Sequence, residues 1–109
     1  MGDVMIFEDI YEPIKFQMKN INGELFDCET KFRTTADNIL LEKLGKYEYD
    51  EKMQLIGEGY NERALKMAVI YCGKDEKFWE QFSGNSLNNM ILKLAEKEKE
   101  KYKKKQVTK

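Results

Sequence analysis

Residues Tyr60–Ala95, YNERALKMAVIYCGKDEKFWEQFSGNSLNNMILKLA, decide the fold of this chain. Three helical patterns follow one another there with only a few residues between them. In the first, Leu65, Ala68, Val69 and Cys72 fall at i, i+3, i+4 and i+7, with Met67, Ile70 and Tyr71 making the other side apolar too. Asn61 is placed to cap its start, and Gly73 ends it. Asp75 opens a short second helix presenting Phe78, Trp79 and Phe82, and Ser83-Gly84-Asn85 breaks the chain again. Ser86 then caps a helix striped by Leu87, Met90, Ile91 and Leu94. Helices this short need tertiary packing to persist, so the core is expected around Leu65, Val69, Phe78, Trp79, Phe82, Leu87, Ile91 and Leu94.

Ahead of this stretch the period changes. Ile14, Phe16 and Met18 alternate with Lys15, Gln17 and Lys19, as in a half-buried strand. Asn20-Ile21-Asn22-Gly23 supplies a turn, and Phe26, Cys28, Thr30 and Phe32 alternate beyond it, so residues 14–32 read as a β-hairpin. Before the hairpin, Val4, Met5, Ile6 and Phe7 form an apolar cluster, either a docked strand or an arm. After it, Thr34 or Thr35 can cap a helix with apolar positions Ile39, Leu40, Leu44 and Tyr47, closed by Gly45. Asp50 can cap a further helix carrying Met53, Leu55 and Ile56, interrupted by Gly57-Glu58-Gly59. The expected fold is α+β: an N-terminal β-hairpin, with room for one extra strand, followed by four to five short helices in a small bundle.

At 109 residues the chain is expected to form one domain over 1–95. From Glu96 onward the sequence is EKEKEKYKKKQVTK, read as a charged tail over 96–109 that passes from helical to disordered. Residues 93–109 carry eight Lys against three Glu, leaving −6 on residues 1–92 of a chain whose net charge is −1. A nucleic-acid partner is not expected, because the basic end has no Arg and little aromatic interleaving. The sequence MGDVMIFEDIYEP has no basic leader, and no window is apolar enough to span a bilayer, so cytoplasmic synthesis without a membrane partner is expected.

Catalytic chemistry finds little support. Histidine is absent, which rules out imidazole-dependent triads within the chain and leaves zinc only two thiolates, Cys28 and Cys72, with no CxxC pair. The Gly57-Glu58-Gly59 segment is a breaker, with no Lys-Ser/Thr following it to hold a phosphate. Asp27 and Glu29 sit on the outward face of their strand, so no carboxylate pair is isolated in an apolar setting. No catalytic residue, cofactor or metal is expected. Phe78, Trp79, Phe82 and Met90 are the candidates for a partner-binding surface, although large aromatics on one helical face more often anchor a core.

KNINGELFDC followed by helices, and then CGKDEKFWEQFSGNS ahead of a charged helical end, resembles the tail assembly chaperones of long-tailed bacteriophages and prophages of Gram-positive-type hosts. The likeness covers roughly residues 14–100 and is one of pattern and size. It implies a non-enzymatic protein that holds the tape-measure protein in solution and helps recruit tail-tube subunits in the host cytoplasm. It also implies homo-oligomers and a frameshift-extended form beginning in the Lys-rich end. The competing reading is a small regulatory adaptor, of phage or bacterial origin, that binds one folded partner.

Overall fold

The computed structural model describes residues 4–46, 48–57 and 59–106. Tyr47, Glu58 and residues 107–109, on which parts of the expected first helix, breaker and tail fall, lie outside them. The chain runs β1 (Lys15–Lys19), β2 (Leu25–Glu29), α1 (Thr35–Leu44), β3 (Glu48–Tyr49), β4 (Leu55–Ile56), α2 (Tyr60–Cys72), α3 (Glu76–Trp79) and α4 (Gly84–Gln106). The architecture is α+β, as the periodicities predict: an antiparallel β-hairpin followed by four helices.

β1 and β2 pair from Lys15 with Glu29 to Lys19 with Leu25. Their turn is built on one side chain, since Asn20 Oδ1 accepts from the N–H groups of Asn22 and Glu24, both at 3.0 Å. Gly23 takes φ +84°, the left-handed conformation that a three-residue hairpin loop needs at its last position. The predicted alternation holds: Phe16, Met18, Phe26 and Cys28 turn toward the helices while Asp27 and Glu29 are exposed. Phe32 lies beyond β2 and is exposed, with its ring edge-on to Tyr11 at 5.9 Å.

The helix expected to start at Asp50 does not form, and β3 and β4 make a second hairpin instead. The reason is the same turn chemistry. Asp50 Oδ1 accepts from Lys52 N at 2.9 Å and Gln54 N at 2.8 Å, and Met53 occupies the left-handed position at φ 64° that Gly23 fills in the first hairpin. A side-chain acceptor that serves N–H groups two and four residues on competes directly with a helical first turn.

α1 is held by a reciprocal cap, with Asp37 N donating to Thr34 Oγ1 at 3.3 Å and Thr34 N to an Asp37 carboxylate oxygen at 3.0 Å. Leu41 and Leu44 turn inward, whereas Ile39 and Leu40 stay exposed, so the predicted apolar face of α1 is wrong by part of a turn. In α2 the buried residues are Arg63, Ala64, Ala68, Tyr71 and Cys72, so Ala68 and Cys72 of the predicted stripe lie inside while its Leu65 and Val69 are half-buried. Small alanines at that contact let α2 lie close to α4. Gly59, not Asn61, stands at the start of α2. Asn61 instead lies against Gly84, where a Cβ would fall 2.0 Å from its Oδ1. Likewise Ser83, not Ser86, caps α4, its Oγ accepting from Ser86 N at 3.1 Å.

The core gathers where the three C-terminal helices meet the inner face of the first hairpin. Trp79 is fully enclosed, and Leu87, Ile91, Leu94 and Phe82 close around it. Phe26 brings β2 into this cluster, edge-on to Phe78 at 5.3 Å and to Phe82 at 6.2 Å.

Candidate protein-interaction surface

Thiol chemistry is the natural place to look for an active group, because Cys28 and Cys72 both line a cavity of about 780 Å³ between β1, β2 and the end of α2. Both are buried and free. Burial pushes the Cys72 thiol up to about 12 and raises Cys28 as well, so neither offers a thiolate near neutral pH. The charges of Arg33 and Lys74 at Cys72, and of Lys74 at Cys28, oppose this without reversing it. Among the described residues no three Cys, Asp or Glu side chains gather as metal ligands, and no helix is long and apolar enough to cross a membrane.

Of the four residues proposed as a binding surface, three are core. Trp79 has 0% exposure, Phe82 and Met90 are buried, and Phe78 is half-buried beneath Lys74, whose Nζ stands 4.7 Å from its ring centre. Phe78, Trp79 and Phe82 face one another and Phe26, so the aromatic cluster is satisfied within the fold. The preference of large aromatics for burial outweighs any display to a partner here.

The surface that is displayed lies elsewhere. Val4, Met5, Ile6, Phe7 and Ile10 are each at least 75% exposed, in a segment with neither helix nor strand. Of the two alternatives for this cluster, the arm is the one found. Its root is fixed: Tyr11 donates to Thr30 Oγ1, which also accepts from Ile14 N at 2.9 Å, and Lys101 Nζ meets the Glu12 carbonyl at 2.9 Å and carboxylate at 3.2 Å. Residues 4–10 therefore project from an anchored point.

A second feature sits beside it, a groove between β1 and α4 floored by Ile14, Phe16, Met18, Met90 and Leu94. Lys15, Lys93 and Lys97 border it, and none of its lining residues is acidic. Its α4 side, Met90, Lys93, Leu94 and Lys97, lies at the end of the apolar stripe, and the helix runs on from there through Gln106. Glu98, read from the sequence as part of a solvated extension, is buried against Arg33, whose guanidinium also stacks 4.2 Å over the Tyr71 ring. Such an ion pair joins residues 65 positions apart, and no local pattern announces it.

No family model matches the chain, and no curated protein or solved structure matches it.

Proposed function

We propose that the chain is a non-enzymatic protein-binding module of the tail assembly chaperone type, acting in a bacterial host cytoplasm on the tape-measure and tail-tube proteins. The observation that carries this reading is the arm. Five large apolar side chains within seven residues, each at least three-quarters exposed, have no place in the chain's own core, and contiguous apolar display of this kind marks surfaces that meet another protein. An arm tied at Tyr11 and Glu12 keeps its position while its apolar part adapts to a client. A long, amphipathic tape-measure helix offers the apolar stripe such a segment covers. Both thiols are held protonated by burial, which speaks for binding over catalysis.

The test is co-expression with the tape-measure protein encoded in the same gene cluster. Wild-type chain is expected to raise the soluble fraction of that protein, and Ile6→Asp/Phe7→Asp is expected to abolish the effect while leaving the fold intact. A gene neighbourhood without tail genes, or an arm variant as effective as wild type, defeats the reading.

A further inference from the structure

We infer that the arm of one copy adds as a strand to β1 of a second copy, seated in the groove between β1 and α4, so that two chains exchange arms. The inference concerns the chain by itself and does not depend on the client proposed above.

The edge of β1 is built to receive a strand. Ile14 O accepts from Thr30 N, and Asn20 N donates to Glu24 O, both at 3.0 Å, so the even-numbered residues from 14 to 20 hold the bonds to β2. In an antiparallel ladder the alternate residues then point their backbone groups the other way. Lys15, Gln17 and Lys19 thus present N–H and C=O groups to the open side, and the sheet has only two strands among the described residues. The groove lies along that side, lined by all five residues from Ile14 to Met18 and by one face of α4. An edge strand with an apolar floor beside it is the geometry used in strand addition: backbone bonds supply affinity and the floor takes alternate side chains.

The occupant follows from sequence and charge. Residues 4–7 are Val-Met-Ile-Phe, apolar on both faces of a strand, so either register places apolar groups on Met90 and Leu94. Glu8 and Asp9 come next, and the border of the groove offers them Lys15, Lys93 and Lys97. Seven arm residues suffice for a five-residue strand. The chain's own arm cannot serve. To turn back onto β1 it would have to reverse within Glu12 and Pro13, pulling Tyr11 off Thr30, where it is held on the β2 side of the hairpin. Exchange between two copies is reciprocal and closes as a two-fold dimer.

The full chain is examined by light scattering after size exclusion, from low to high micromolar concentration. Wild type is expected to move from one to two chain masses, and Ile6→Asp/Phe7→Asp is expected to stay at one. Lys93→Glu/Lys97→Glu and Glu8→Lys/Asp9→Lys, all at exposed positions, are each expected to weaken self-association at least tenfold. The mixture of the two charge variants is expected to recover a heterodimer through one reversed arm in one reversed groove. A wild type that stays monomeric throughout overturns the inference, and so does an arm variant that still dimerises or a mixture without recovery. A monomeric chain that nevertheless keeps the tape-measure protein soluble overturns arm exchange alone and leaves the client reading standing.

Discussion

Replacing Trp79 is the most direct probe of how the core holds together. The ring is fully enclosed, with Phe78 at 4.8 Å and Phe82 at 5.9 Å between centroids. A buried Trp removes up to about 250 Å² from water, and at roughly 25 cal/mol per Å² truncation to Ala forfeits about 5 kcal/mol of transfer energy. Partial collapse of neighbouring side chains brings the expected loss for Trp79→Ala to about 3–5 kcal/mol, a large part of the stability of a domain this size. Trp79→Phe separates ring packing from the polar edge. The indole Nε1 is buried without a hydrogen-bond partner among the described residues, a defect worth about 1–3 kcal/mol, and Phe removes it. The Phe variant should therefore cost less than half as much as the Ala variant. Urea unfolding followed by far-UV circular dichroism reads both, since the signal does not depend on the residue removed. A loss below about 1 kcal/mol for Trp79→Ala at unchanged m-value, or a Phe variant as damaging as Ala, would refute this account of the core.

Three further outcomes are expected. Glu98→Ala should cost about 3 kcal/mol in urea unfolding, because it strands the Arg33 guanidinium in a site where Nε and Nη1 already lack hydrogen-bond partners among the described residues, whereas Arg33→Met/Glu98→Leu should recover most of that loss. Met53→Gly should be neutral or raise the melting temperature, since it relieves a left-handed residue of a β-carbon strain of about 1 kcal/mol at an exposed position; a clear drop would mean the Met side chain is held there by contacts. Stability should decline as pH rises from 9 toward 12, because unfolded Cys72 ionises near its ordinary value of 9.0 while the folded thiol resists up to about 12, and Cys72→Ala should flatten the decline. Alkaline titration of the two proteins by circular dichroism distinguishes these cases.

The parts of the fold that repeat in sequence were legible in it. Alternation gave the first hairpin, and the apolar stripe of Leu87, Ile91 and Leu94 gave the buried half of α4. Trp79 and Phe82 were correctly expected in the core. What escaped was whatever depended on one atom or on distant partners. The second hairpin hid because Met53 stands where Gly23 marks the first, although Asp50 does the same work as Asn20. Arg63, buried with its Nη1 donating to the Leu44 carbonyl at 2.5 Å, reads in sequence as one more surface charge. Glu98 does too. Apolar size alone cannot say which side chain is spent inside: Trp79, Phe82 and Met90 are buried and Phe78 half-buried, whereas Val4, Met5, Ile6, Phe7 and Ile10 stand exposed. The groove beside β1 needed the three-dimensional placement of α4, since Lys93 and Lys97 look in sequence like the start of a solvated run.

Thr30 takes part in both halves of the molecule. Its hydroxyl oxygen accepts from Tyr11 and from Ile14 N, its own N–H donates to Ile14, and the next residue, Lys31, donates to the Tyr71 carbonyl at 2.8 Å. The root of the arm is thus tied to this residue at the open end of the hairpin and, through Glu12, to Lys101 on α4. Once those ties give way, the next bond in line is Thr30 N to Ile14 O, the first of the β1–β2 ladder, and not a contact of the aromatic cluster at Trp79. Thr30 therefore stands as a mechanical fuse between the apolar arm and the mouth of the hairpin.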